Sequence, residues 1–338
     1  MSTSFERRDS VSSYVGDDSG ILRSGSSPRL PAQPVDAAAE SSLQMPESSA
    51  AMLTEAFRKG RPALVTYLMG GYPDRATSLE SLRAAAAAGA DVIELGVPYG
   101  DALADGPVIV RAANVARRVE GGFGLREAIA LAAEFLGHGA RSEHSAGVED
   151  AELLVAPAED RERRAPCPEE TPPLALMTYY NPMLRLGLER TAQLARDAGV
   201  AGFIVPDMPP DVAGDWLSVS GGLDTVFLVA PTSTYERLAL VGQRSSGFVY
   251  CVSTTGVTGE RSELPPELAG FVARVREHTQ LPLAVGFGVG TPQQAAGVAA
   301  LADGVVVGSA IVRRQGDPAA VGQFVSELAD AVHGAQSG

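Results

Sequence analysis

The feature that most restricts this 338-residue chain is a repeated alternation. Short apolar runs, each sized for one buried strand, alternate with stretches of helical periodicity. The runs are Leu64–Met69, Val92–Leu95, Leu174–Thr178, Phe203–Val205, Val226–Val229, Phe248–Val252, Leu283–Val285 and Val305–Val307. The helical stretches are Thr77–Ala88, Pro107–Arg118 with Leu125–Leu136, Glu189–Ala198, Val212–Leu217, Thr234–Gly242, Glu267–His278 and Thr291–Leu301, and a last one reaches about Val332. Eight such repeats predict an α/β chain closed into a (β/α)8 TIM barrel. A doubly wound open sheet is the alternative. The Gly-rich ends of successive runs favour the barrel, whose strand C-termini all open on the one face where chemistry sits. Apolar residues make up 45% of the chain but aromatics only 6%, with a single Trp, so the core is expected to be aliphatic. An extra N-terminal helix around Leu53, Ala56 and Phe57, stopped by Lys59-Gly60, is expected to plug one end of the barrel.

The flanking composition sets the domain limits. Residues 1–47 are rich in Ser, Pro, Asp and Ala and lack apolar periodicity, which predicts a disordered tail before a catalytic domain at 48–334. A polar segment at about 138–172 interrupts the rhythm between a helix and a strand, and reads as a surface insertion on the face away from the chemistry. The formal charge of −14 argues against nucleic acid and against an anionic membrane as partners. It leaves room for an anionic small substrate, because backbone N–H groups and helix N-termini bind phosphate without a cation. Two cysteines, Cys167 and Cys251, fit a reducing compartment. With no membrane-length apolar run and no signal-peptide pattern, the cytoplasm is expected.

Three acids cluster around the second run. Glu94 lies near the end of an apolar strand, where burial disfavours the charged form and suits a carboxyl to general acid and base work. The plain alternative is a core ion pair with Lys or Arg. Asp101 and Asp105 follow in the loop, where either could contact substrate or cap the helix that starts near Pro107. Spacing alone does not rank them.

Gly-rich turns follow the last three runs: Gly256-Val257-Thr258-Gly259, Gly286-Phe287-Gly288 and Gly308-Ser309-Ala310. Glycine lets backbone N–H groups approach an anion, and a phosphate site after strands seven and eight recurs in this fold. Tyr250 and Cys251 alternate faces, so one of them points into the barrel. The histidines show no metal-ligand spacing and none suits a cysteine nucleophile, so no metal site is expected. The only lysine, Lys59, precedes the first strand, which closes a Schiff-base route.

The segment from Glu94 to Pro107, ELGVPYGDALADGP, resembles the signature of the tryptophan synthase α subunit family. Met177–Pro182, Val205–Pro210, Thr254–Glu260, Gly286–Val289 and Val306–Val312 follow in the family's order, so the resemblance spans about residues 49–332. It implies a lyase that cleaves indole-3-glycerol phosphate to indole and glyceraldehyde 3-phosphate. It assigns Glu94 as acid and base and Asp105, rather than Asp101, as the second catalytic carboxylate. Tyr250, Tyr67 and Phe287 become pocket residues, Gly259, Gly288, Gly308 and Ser309 phosphate contacts, and Thr258 an ordering residue of the loop after strand six. It also implies an α2β2 complex, with pyridoxal phosphate in the β subunit and none in this chain, and places Asp207 and Pro209 on the loop facing β. Met69, Gly70, Gly100 and Ala102 depart from the family's usual residues.

Overall fold

The computed structural model describes residues 52–101, 105–119, 121–138, 171–252, 266–286 and 288–335. The expected tail at 1–47 and most of the 138–172 insertion therefore lie outside the described residues, as do Ala102, Cys167, Thr258, Gly259 and Phe287.

The described residues form one parallel sheet of nine strands: β1 Ala63–Met69, β2 Val92–Gly96, β3 Leu174–Met177, β4 Gly202–Ile204, β5 Asp224–Val226, β6 Leu228–Val229, β7 Val249–Val252, β8 Leu283–Gly286 and β9 Gly304–Val307. Their order is β5-β4-β3-β2-β1-β9-β8-β7-β6. The two ends of that order, β5 and β6, are consecutive in the chain and separated only by Phe227. Ser246 N–H donates to Thr225 O (2.9 Å) and Tyr250 N–H to Phe227 O (3.1 Å), so the sheet closes on itself. The barrel is thus the expected one, with a correction at its fifth strand. The single run predicted at Val226–Val229 begins earlier, at Asp224, and is split at Phe227.

The helices are α1 Met52–Ala56, α2 Arg75–Ala87, α3 Pro107–Ala116, α4 Leu125–Phe135, α5 Tyr180–Leu186, α6 Leu188–Asp197, α7 Gly214–Val219, α8 Tyr235–Arg244, α9 Leu268–Arg276, α10 Pro292–Ala299, α11 Ser309–Val312 and α12 Pro318–His333. Several start as polar caps dictate. Asp74, Thr234, Thr291 and Asp317 each accept a hydrogen bond from a backbone N–H of the first turn. Pro292 and Pro318 then occupy first-turn positions, where a missing N–H costs nothing. Helix α5 has no counterpart in the sequence reading, because its segment, YNPMLRL, carries a proline and too few residues for a clear period. Near the expected Val212–Leu217 helix, the chain makes a 3-10 turn at Pro210–Val212 and then α7.

The strand alternation sorts the core into an outer and an inner layer. Leu64, Leu68, Ile93, Leu95, Leu176, Cys251 and Val285 face out and pack against the helices. Val65, Val92, Ala175, Ile204, Val226, Phe248, Ala284 and Val306 fill the barrel, together with Leu53, Ala56 and Phe57 of the N-terminal segment. Helix α1 therefore does plug the barrel. Phe57 meets Phe248 at 5.3 Å between ring centroids, and Thr54 Oγ1 donates to Gly247 O at 2.7 Å. Burying a large apolar side chain such as Leu53 or Phe57 contributes about 2–3 kcal/mol.

Candidate active site

The C-terminal ends of adjacent strands deliver the candidate residues. Moving around the barrel, β7 carries Tyr250, β8 ends at Gly286, β9 leads into Gly308, β1 carries Tyr67 and β2 carries Glu94. Tyr67 and Glu94 are paired across β1 and β2. Both belong to the face that alternation turns inward, since Val65 and Val92 of the same strands lie in the inner layer. The choice between Tyr250 and Cys251 falls the same way. Tyr250 packs with the inner layer, whereas Cys251 is buried in the outer one, where burial pushes its thiol up to about 12. An inert structural thiol is the result.

Glu94 is completely buried, and neither of its carboxyl oxygens has a hydrogen-bond partner among the described residues. The expected alternative, a core ion pair, is absent there. Burial, and then the nearby Asp105 carboxylate, push the Glu94 carboxyl up to about 8. Asp105 itself is raised to about 6 by burial. It does not cap the following helix: the N-cap of α3 is Gly106, with no side-chain hydrogen bond. Two neighbouring carboxyls thus have separated affinities for protons, which lets one serve as an acid while the other stays ionised near neutral pH. Asp101, by contrast, is exposed.

Two tyrosines flank this pair. Burial, followed by Asp105 and Glu94, raises the Tyr67 hydroxyl well above its ordinary value, and burial, then Glu94 and Asp105, does the same for Tyr250. Both therefore remain hydroxyl groups that can donate. Each leans over a glycine at a strand end. A Cβ on Gly96 would collide with the Tyr67 hydroxyl, and one on Gly286 would lie 3.0 Å from that of Tyr250. Glycine at these two positions is what lets the rings reach across the barrel mouth.

The glycine turns sit on neighbouring strands. Gly288 adopts φ +67° just beyond β8. Gly308 precedes the single turn of α11, which begins at Ser309 and whose first N–H groups have no helical acceptor. Thr258, Gly259 and Phe287 cannot be placed beside them, being outside the described residues. On the opposite side of the mouth, Asp207 and Pro209 are exposed. Asp207 Oδ1 accepts from Tyr180 N–H at 2.8 Å and so secures the start of α5.

Sequence reasoning missed an aromatic wall beside Tyr67. Tyr179 is buried, stacks on Tyr99 with centroids 5.0 Å apart, and Asn181 Nδ2 donates to the Tyr99 hydroxyl at 3.1 Å. The two tyrosines stand 80 positions apart in sequence, so only the motifs that contain them, VPYGD and MTYYNP, offered a signal.

The chain matches the family model described as "Tryptophan synthase alpha chain" over residues 53–140 and 162–333. It is 41% identical to the tryptophan synthase alpha chain of Carboxydothermus hydrogenoformans over 257 residues, 75% of this chain and 84% of that one. It is 39% identical to that of Dehalococcoides mccartyi over 281 residues, 82% of this chain and 97% of the relative. The fold superposes on a Mycobacterium tuberculosis tryptophan synthase structure with a TM-score of 0.69 at 36% identity, covering 84% of this chain and 99% of that one. The inward carboxyl pair, the barrel that presents it and these likenesses agree: the chain belongs to the tryptophan synthase alpha chain family, lyases that split indole-3-glycerol phosphate into indole and glyceraldehyde 3-phosphate.

Proposed function

We propose that Glu94 and Asp105 divide the chemistry of that cleavage between them. The observation that carries this assignment is the Glu94 carboxyl itself, fully buried with neither oxygen partnered among the described residues. With its carboxyl raised to about 8, Glu94 holds a proton at neutral pH and gives it to indole C3. The ring becomes an indolenine-like cation, whose N–H faces the Asp105 carboxylate. Glu94, now ionised, removes the proton from the hydroxyl on the adjacent side-chain carbon. The bond from C3 to that carbon breaks, its electron pair returns to the ring, and neutral indole leaves as the oxygen becomes an aldehyde. Each proton given is recovered, so the step balances without a metal or a Schiff base.

Tyr67, Tyr250 and Phe287 hold the indole and glycerol portions, and Gly259, Gly288, Gly308 and Ser309 hold the phosphate, with Thr258 ordering the loop after β7. The separation of the two ends supports this reading, since Gly286 and Gly308 lead off β8 and β9 while Glu94 stands on β2, with Tyr67 between them. The chain works in the cytoplasm as part of an α2β2 assembly with a tryptophan synthase β subunit, which Asp207 and Pro209 face. The β subunit supplies pyridoxal phosphate and consumes the indole. No helix among the described residues is long and apolar enough to cross a membrane.

The test is indole release from indole-3-glycerol phosphate by Glu94→Gln and Asp105→Asn, with and without added β subunit. Each variant is expected to lose about 10²–10⁴-fold in kcat while keeping a cooperative thermal transition. Near-parental turnover in either would remove that residue from the catalytic assignment.

A further inference from the structure

The end of β1 has a bonding problem that a distant side chain solves. In a parallel sheet, alternate residues direct their N–H and C=O to opposite neighbours. On β1, Ala63 N–H donates to Asp303 O on the β9 side, while Gly70 N–H donates to Gly96 O on the β2 side. Met69 shares parity with Ala63 and so turns its peptide groups toward β9. The last residue of β1 that pairs with β9 is Thr66, opposite Val307, after which the β9 chain leaves to form Gly308 and α11. Met69 would face an empty position.

Gln315 fills it. Its side chain is fully buried. The amide oxygen accepts from Met69 N–H at 2.9 Å, and the amide nitrogen donates to Met69 O at 2.6 Å and to Tyr72 O at 3.0 Å. The side chain thus stands in for the missing strand, offering one donor and one acceptor as a peptide group does, and uses its second N–H on the next turn. Its own carbonyl accepts from Ser81 Oγ at 3.0 Å, which fixes the loop after α11 to α2. Met69 in turn packs in one cluster with Tyr67, with Ile109, Ala112 and Ala113 of α3, and with Val312 of α11. One residue therefore sits where three parts of the site meet: the Tyr67 strand, the helix that follows Asp105 and the short helix that follows Gly308.

We propose that Gln315 is a positioning residue for the cleavage reaction, setting the span between the Gly308–Ser309 turn and the Asp105 loop by clamping Met69. This rests on the reading of Gly308 and Ser309 as phosphate contacts. A misplacement of about 1 Å between the anchored end and the reacting end of a substrate can cost on the order of 10²-fold in rate. Gln315 contacts neither end.

Gln315→Met keeps the volume and removes every side-chain hydrogen bond. The expected result is a kcat at least tenfold below the parent, with the Kd for glycerol 3-phosphate held within threefold, because the anchor survives and only its distance to the carboxyls is lost. Gln315→Glu supplies the second readout. As a neutral acid it can accept from Met69 N–H and donate to Met69 O, whereas once ionised it repels both carbonyls. Its activity relative to the parent is expected to rise at least threefold from pH 8.5 to pH 5.5. The inference is overturned if folded Gln315→Met turns over within twofold of the parent, if kcat and glycerol 3-phosphate binding fall in the same proportion, or if the Gln315→Glu ratio is flat with pH. Ser309→Asp is the control for the underlying reading. If it leaves glycerol 3-phosphate binding intact, the phosphate assignment fails. If it abolishes binding while Gln315→Met is normal, only the positioning role fails.

Discussion

Asp91 and Glu94 are three residues apart at the start and in the middle of the same buried segment, yet they meet opposite fates. Asp91 lies just before β2, at the N-terminal end of the barrel. Lys59 Nζ (2.9 Å) and Arg61 Nη2 (2.9 Å) donate to one oxygen, and Arg61 Nη1 (2.9 Å), Leu64 N–H (2.9 Å) and His333 Nε2 (2.7 Å) meet the other. Burial alone would raise this carboxyl, but Arg61, Leu64 N–H, Lys59 and His333 outweigh it and hold it at about 2. Glu94 has no such partner among the described residues and is pushed to about 8. Burial is common to both carboxyls. What separates a structural acid from the proposed reactive one is whether the fold supplies donors, and it supplies them at the end of the barrel opposite the candidate site.

The contrast breaks most sharply under substitution. Glu94→Gln is expected to lose about 10²–10⁴-fold in indole release and to be more stable than the parent at neutral pH, where the buried carboxyl already costs stability. Asp91→Ala should do the reverse. It strips a buried acceptor from Lys59, Arg61, His333 and the Leu64 N–H of β1, and a loss of about 3 kcal/mol in unfolding free energy is expected with kcat changed less than twofold. Urea unfolding alongside steady-state rates would show whether the two effects are separable. A large rate loss in Asp91→Ala at temperatures where it stays folded would blur the division.

The two carboxyls also predict opposite pH dependences of stability. Asp91 has a depressed folded value, so its contribution of about 2 kcal/mol is complete above the unfolded carboxyl's range and disappears as pH falls through about 2. Glu94 has a raised one. Its cost is absent below the unfolded carboxyl's range, grows as pH rises, and is complete, at a few kcal/mol in order of magnitude, only above about 8. Glu94→Gln should therefore melt higher than the parent at pH 9 and nearly equal to it at pH 4.5. A melting difference independent of pH would mean that Glu94 titrates normally. The smallest effect is expected at His333, one contributor among several to the Asp91 cluster. His333→Gln should cost about 1 kcal/mol, measured by thermal unfolding, and leave catalysis unchanged.

The barrel was legible because its strands are short apolar runs bounded by glycine and helix caps, which are local signals. The split at Phe227 was not, since closing the sheet around β5 and β6 depends on both neighbours. Its place near the end of an apolar strand named Glu94 as a candidate, but the same apolar run gave Asp91 no lesser claim to burial. Only the positions of Lys59, Arg61 and His333, up to 242 residues away, distinguish them. Likewise, Asp105 gained its rank over Asp101 from the family resemblance, and its neighbourhood with Glu94 and its absence from the α3 cap now give that rank physical content. Gln315 left no trace in the sequence, because an amide that replaces a strand partner is recognisable only once Met69 lies beside it.

The most direct measurement of the account is a carboxyl titration by 13C NMR, with Glu94 assigned by its loss in Glu94→Gln and Asp91 by its loss in Asp91→Asn. The expected midpoints are about 8 for Glu94 and about 2 for Asp91 in the same molecule. A Glu94 midpoint in the ordinary carboxylate range, near 4.5, would contradict the claim that this carboxyl enters the reaction as the proton donor.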